Sequence, residues 1–232
     1  MRLKKSSSVD ICVTYFGDKY STKYLDNLEA GIGRNYSGNF NFIVKTDCPN
    51  RHWDKLSFFD NDRRTVIMDI DMMVINNVDH IFNHKAEFAA FPRWWRDNYS
   101  INGGLYVFDP SEKTALVKEK FYQQPELWIN QYSNKTGTKW MGEQLFVDES
   151  LPDITRLNGQ WLGVYVDGVD HKGTIQSQSM FEARYYVSNK THMMSELYKF
   201  KPHVSLVHFI YDQKIEQHKQ WIQDLWNGHS SV

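Results

Sequence analysis

No stretch of this sequence approaches the ~20 consecutive apolar residues that a helix needs to cross a bilayer. Its opening, MRLKKSSSVD, is basic and then polar, and no apolar leader segment follows. A cytoplasmic protein without a transmembrane segment is therefore expected. Cysteine is nearly absent: only Cys12 and Cys48 occur. They lack the spacing of a metal finger or a redox pair, and both read as buried apolar thiols. Neither sign of charge dominates, with 27 basic residues against 28 acidic ones and a formal net charge of -1. Such a chain has no global positive field for nucleic acid, which is not expected as a partner. Repeats, low-complexity tracts and obvious linkers are also missing. Sequons at Asn35, Asn98, Asn134 and Asn189 carry no weight without secretion.

What is present is material for a core. Of 232 residues, 41% are hydrophobic and 15% aromatic, enough for one large or two small domains. VDICVTYF (9–16) reads as a first buried strand. Helical spacing follows, with Tyr24, Leu25 and Leu28 on one face and Gly31-Ile32-Gly33 as a stop. NFNFIVKTD (39–47) is a second strand, a loop follows, and RRTVIMDID gives the third. Strand, helix, strand, loop, strand implies an α/β domain with a largely parallel sheet, whose ligands gather beyond the C-terminal strand ends. EFAAFP and GGLYVFDP read as two more strands. SEKTALVKEKFYQQP is a helix capped by Ser111 and stopped at Pro125. GEQLFVDESL is a short helix and HVSLVHF a late strand. DQKIEQHKQWIQDLW is a final amphipathic helix anchored by Ile215, Trp221, Ile222 and Trp226.

Inside the apolar run VIMDIDMMVI, Asp69 and Asp71 interrupt what should be a buried strand. Desolvating an unpaired carboxylate is costly. With period two, both side chains leave the same face, and two such carboxylates repel unless a cation lies between them. Magnesium, manganese or calcium suits oxygen ligands. Solvation, or pairing with Arg63 or Arg64, is the plainer alternative. A third reading is a dehalogenase-type phosphatase, with Asp69 as nucleophile and Asp167 and Asp170 as its downstream acidic pair.

Five segments in order narrow these alternatives: TVIMDIDMMVINNVDHIF, SINGGLYVFDP, GEQLFVDE, LVHFIYDQK, and the strand–helix–strand unit before them. Together they resemble the glycogenin-like glycosyltransferases of family 8, over roughly residues 9 to 217. The resemblance implies a GT-A fold: a Rossmann-like, mixed and mainly parallel sheet flanked by helices. It implies one domain over 1–232, with a nucleotide-binding half (about 1–125) and an acceptor and metal-completing half (about 126–232). It further implies a retaining hexosyltransferase that uses manganese or magnesium and a nucleotide-diphosphate sugar, commonly a UDP-sugar, with a glycan or other hydroxyl acceptor.

The same resemblance supplies site residues. Asp69, Asp71 and His208 match the metal ligands, and Lys214 the lysine that neutralises a diphosphate oxygen. Asn102 matches the asparagine that bonds the donor sugar, while Gly103 and Gly104 match the small residues that let the sugar approach the backbone. Glu143 and Gln144, after Gly142, match the polar pair beneath the anomeric carbon. Arg64 takes the place of the lysine before the DxD strand, and Tyr20 that of the tyrosine stacking on the base. Departures from the pattern are Tyr211 for a glycine, Ile215-Glu216 for Pro-Trp, and FPRWWRD for an acidic residue. In that last segment Arg93 and Arg96 suit an acidic or altered sugar, and Trp94 and Trp95 an apolar platform. A non-catalytic binder of sugar nucleotides is the other function compatible with Tyr211.

Overall fold

The structure, a computed structural model, describes residues 8–93, 100–135, 142–166, 187–188, 204–209, 214–217 and 220–229. Among the described residues a six-stranded sheet runs in the order β2 (Phe40–Lys45), β1 (Val9–Thr14), β3 (Thr65–Met68), β6 (Ile101–Phe108), β5 (Phe88–Pro92), β7 (Thr155–Arg156). β2, β1 and β3 are parallel, β6 runs against β3 and β5, and β7 is parallel to β5. A second sheet joins β4 (Met72–Val74), β10 (Leu206–Phe209), β8 (Leu162–Val166) and β9 (Val187–Ser188).

Alternation within the central strands builds two cores. Ile11 and Val13 of β1, Val66 and Met68 of β3, and Leu105 and Val107 of β6 face one side. There they meet Tyr24, Leu28 and Ile32 of α1 (Lys23–Asn35). Cys12, Ile67, Tyr106 and Phe108 face the other side, with Trp53, Leu56 and Phe59. Those three belong to a 3-10 helical segment, Arg51–Asp60. Beside it pack α3 (Glu112–Gln123), α4 (Pro125–Lys135) and α5 (Gly142–Ser150), which bring Phe121, Tyr132 and Phe146. Burial pushes the Cys12 thiol up to about 12, which makes it inert. Cys48 is only half-buried, its sulfur 3.3 Å from the Lys45 carbonyl.

Several expectations are corrected. α1 does not stop at Gly31-Ile32-Gly33. It runs through to Asn35 because Ile32 is buried and Gly31 lies against β4, where an added Cβ would sit 3.4 Å from Val74 Cβ. The loop expected after β2 is the ten-residue 3-10 segment. Pro125 starts α4 rather than only ending α3, at the position where a missing N–H is harmless. Ser111 does cap α3, its hydroxyl accepting from the Thr114 amide. The last helix is divided into a 3-10 turn, Ile215–Gln217, and α6 (Gln220–Trp226), with Ile215, Ile222 and Trp226 buried. No helix among the described residues is long and apolar enough to cross a membrane.

Phe59 is fully buried among Phe88, Tyr106 and Phe108, at ring-centroid distances of 5.7, 5.9 and 5.2 Å. Phe59→Ala should cost about 3–5 kcal/mol of stability, because the cavity cannot collapse onto a flat sheet face. Urea denaturation monitored by tryptophan fluorescence checks this.

Candidate active site

β3 ends at Met68, and residues 69–71 form a turn into β4 (Met72–Val74). The turn is tied to both sheets. The Asp69 amide donates to the Gly104 carbonyl of β6 at 2.8 Å, and the Phe209 amide of β10 donates to the Asp71 carbonyl at 3.0 Å. Asp69 and Asp71 therefore share a site because the chain changes sheets between them, not because they alternate along one strand. His208, on β10, completes the group: one ligand atom from each of Asp69, Asp71 and His208 lies within 4.8 Å of the others.

Gly103 and Gly104 lie inside β6, not in a hairpin turn. There the register with β5 jumps from Ala90–Tyr106 to Phe91–Asn102, so β6 bulges. A Cβ on Gly104 would meet His208 Cε1 at 2.6 Å, and one on Gly103 would meet Glu143 Oε1 at 2.4 Å. Asn102 is turned by the bulge: its Oδ1 accepts from the Gly104 amide at 2.7 Å and its Nδ2 lies 3.1 Å from His208 Nδ1. Gln144 Oε1 accepts from the Gly103 amide at 2.9 Å. Glu143 and Gln144 stand in the first turn of α5 and are both buried.

The cation at the centre of this group is Lys55, for which the sequence reading has no role. Its ammonium lies 2.6 Å from Asp69 Oδ1, 3.2 Å from Glu143 Oε1 and 2.8 Å from the Gly103 carbonyl. Its side chain is 2% exposed. Burial opposes the charged ammonium, but Asp69 and Glu143 outweigh it and hold its pKa above the ordinary lysine value. Burial raises the Asp69 carboxyl in spite of Lys55, and the Asp71 charge adds to the rise. Burial also acts against Asp71, yet neighbouring His208, Lys19 and Tyr20 prevail and hold it low. Tyr106, whose hydroxyl donates to Glu143 Oε1 at 3.3 Å, is pushed well above its usual range by burial and the Glu143 charge.

Other expected site residues are placed as follows. The Tyr20 hydroxyl donates to Asp71 Oδ2 at 3.1 Å, and its ring packs on Tyr24 with centroids 4.7 Å apart. Lys214 precedes Ile215, whose amide donates to the Tyr24 hydroxyl at 2.8 Å, one ring away from Tyr20. Arg64 is not brought into the group. It precedes the opposite end of β3, donates to the Phe82 and His84 carbonyls and pairs with Asp109 at 2.9 Å. Arg93 is buried at the end of β5. Trp94, Trp95, Arg96, Asp167, Asp170, Lys219, Tyr211 and the Trp221 side chain lie outside the described residues.

A cleft of about 410 Å³ opens beside the carboxylates. It is lined by the loop after β1 (residues 14–20), by Arg51 and His52, and by residues 69–71. It lies at the C-terminal ends of β1 and β3, where an α/β sheet presents its ligand site. A second cavity of about 250 Å³, between α3 and the end of α5, is lined by none of the candidate site residues.

The donor set suits a divalent cation. Two carboxylates and an imidazole are ligand types that can hold such an ion. Asp71 Oδ1 is buried without a hydrogen bond, although His208 Nε2 is 3.3 Å away.

No protein-family model matches the sequence, and no curated protein matches it either. Solved structures do match in fold. The galactosyltransferase LgtC, crystallised with donor and acceptor sugar analogs, superposes with a TM-score of 0.56 at 11% identity, over 96% of this chain and 97% of that one. A glycosyltransferase involved in glycosylation of the PBCV-1 major capsid gives 0.56 at 12%, over 94% and 98%. The glycosyltransferase GlyE of Streptococcus pneumoniae TIGR4 gives 0.58 at 12%, over 95% of this chain and 60% of that one. The chain has the mixed, mainly parallel α/β architecture of the GT-A glycosyltransferases.

Lys55→Met should destabilise the protein by about 3–5 kcal/mol, because the buried Glu143 and the partly buried Asp69 lose their counter-charge. The sign with pH is defined. In the wild type a raised lysine pKa contributes fully below about pH 10 and is lost only as pH climbs through the folded value. In the variant Asp69 loses the lysine that opposes the rise caused by burial, so the deficit is largest near neutrality and shrinks as pH falls through the carboxylate range. Denaturation midpoints of both proteins between pH 4 and 8 test it.

Proposed function

We propose that this protein is a metal-dependent glycosyltransferase that moves a sugar from a nucleotide-diphosphate sugar, commonly a UDP-sugar, to a hydroxyl acceptor with retention of anomeric configuration. The observation that carries this reading is the Asp69–Asp71–His208 group at the mouth of a cleft in a GT-A fold. The fold also favours sugar transfer over a dehalogenase-type phosphatase. Matched structures include one holding donor and acceptor sugar analogs, and the same division of labour is proposed for this chain.

Asp69, Asp71 and His208 would hold manganese or magnesium, which supplies Lewis-acid stabilisation of the departing diphosphate. Lys214 adds a fixed positive charge, and Tyr20 lines the side of the cleft assigned to the base. Asn102 and Gly103 meet the donor sugar, and Gln144 holds the bulge that positions them. Glu143 has one oxygen engaged by Lys55 and Tyr106, while its Oε2 faces His52 at 3.9 Å. That second oxygen is the atom with reach towards an anomeric carbon. Two routes fit. In one, Glu143 forms a bond to the anomeric carbon as the bond to diphosphate breaks; the acceptor oxygen then displaces the carboxylate and gives its proton to an oxygen of the diphosphate that has left. In the other, the acceptor enters on the leaving-group face and gives its proton to the departing diphosphate oxygen. In both, positive charge develops on the sugar ring, next to the Glu143 carboxylate.

Saturating UDP with manganese should raise the melting temperature by roughly 5 °C or more, since ligand at a hundred times its Kd adds ~2.7 kcal/mol. Chelator, Asp71→Ala or His208→Ala should each abolish that rise. A shift that survives all three would sink the metal assignment. Glu143→Gln separates the two routes: it should prevent trapping of a glycosyl-enzyme with a slow fluorinated donor and cut turnover by orders of magnitude. Near-wild-type turnover would exclude the nucleophile role.

A further inference from the structure

Arg51 is the one non-glycine residue with positive φ among the described residues, at 58°. An L side chain in this region crowds its own carbonyl, so glycine or asparagine is the usual occupant. The conformation is imposed from below. Asp54, 1% exposed, accepts from the Asn50 amide at 2.7 Å and the Asn50 side chain at 3.0 Å. The Tyr122 hydroxyl donates to the same carboxylate at 2.7 Å, and the Arg51 amide closes the turn onto the Cys48 carbonyl at 2.9 Å. A buried carboxylate and three partners thus hold the chain so that Arg51 lines the cleft containing Asp69 and Asp71. Strain kept at such a place points to a function for the side chain.

Charge balance indicates which function. Lys55 is consumed by Asp69 and Glu143. Arg64 is consumed beyond the far end of β3. A divalent ion would balance Asp69 and Asp71, and Lys214, assigned to the diphosphate above, would balance one of its two charges, leaving the other to a further cation. The cleft-lining cations are Lys19, which lies 4.5 Å over the Tyr20 ring, and Arg51. The Arg51 guanidinium is exposed and forms no ion pair among the described residues. Its planar fork of donors suits a phosphate.

We propose that Arg51 is a donor-binding residue, held in a strained backbone conformation so that its guanidinium meets the diphosphate of the nucleotide sugar. The inference rests on the transferase reading of the cleft.

Arg51→Gly tests it, because glycine accepts this φ without strain. The variant should melt at or above the wild-type temperature without ligand. Its affinity for a nucleoside diphosphate should nevertheless fall roughly 10- to 100-fold, the worth of a charge-assisted hydrogen bond. The probes are UDP, GDP and inorganic pyrophosphate, each with manganese, titrated by calorimetry at several salt concentrations. Removal of a charge contact also flattens the salt dependence, which loosening of the cleft does not. Unchanged affinity, or reduced affinity with an unchanged salt slope, overturns the assignment. If the wild type binds none of the three probes, the transferase reading itself fails; if it binds and Arg51→Gly binds equally, only the role of Arg51 fails.

Discussion

A single buried ammonium joins the walls of the site. Lys55 reaches from the 3-10 segment to Asp69 in the turn after β3, to Glu143 in α5 and to the Gly103 carbonyl in β6. Its surroundings explain why it stays charged. Each carboxylate alone would be costly to bury, and the lysine alone equally so. Together they are hydrogen-bonded, and the one ammonium offsets one of the two negative charges. The aromatic layer of Trp53, Phe59, Phe121 and Phe146 therefore has a functional consequence, because it fixes the segment that carries the lysine. Packing below and chemistry above are linked through this one side chain.

The second constraint is geometric. A carboxylate pair cannot be presented from the middle of a strand without losing its burial partners. The chain avoids this by leaving the large sheet at Met68 and joining the small sheet at Met72. Each half of the turn is held by a different sheet, so Asp69 and Asp71 are placed by two independent sets of backbone bonds. The glycine pair in β6 serves the same end. It removes the atoms that would collide with His208 and Glu143, and its bulge turns Asn102 toward the imidazole.

Much of this was legible in the sequence where period two operates. β1, β3, β5 and β6 stand where alternating or continuous apolar runs place them. The convergence of Asp69, Asp71, Asn102, Glu143, Gln144 and His208 is what the resemblance to the family-8 glycosyltransferases implies, not something that alternation alone places. The 3-10 segment was not legible, because Trp53, Leu56 and Phe59 repeat every three residues, which fits neither the helical nor the strand template. Lys55 was lost with it. Arg64 shows the complementary error. It lies close to Asp69 in sequence, but five residues of extended chain span about 16 Å. Gly31 was read as a helix stop when its use is close contact with Val74; punctuation and packing look alike in one sequence.

At 11–12% identity to the matched structures, few side chains can be shared, yet the architecture is. The physical requirements just described are few enough to allow this. Alternation in the strands, a sheet change after the first carboxylate, two residues without Cβ in the neighbouring strand and one buried cation bring Asp69, Asp71 and His208 together. None of them dictates the cleft walls, which touch the ligand rather than the core. Arg51 illustrates the freedom and its cost. Its side chain is exposed and its backbone has a positive φ that glycine adopts without strain. The fold accommodates it only because Asp54 and Tyr122 anchor the turn from inside. The cleft walls, at residues such as Arg51, are thus left free by the fold, while the lysine-centred floor beneath them is constrained by its own electrostatics.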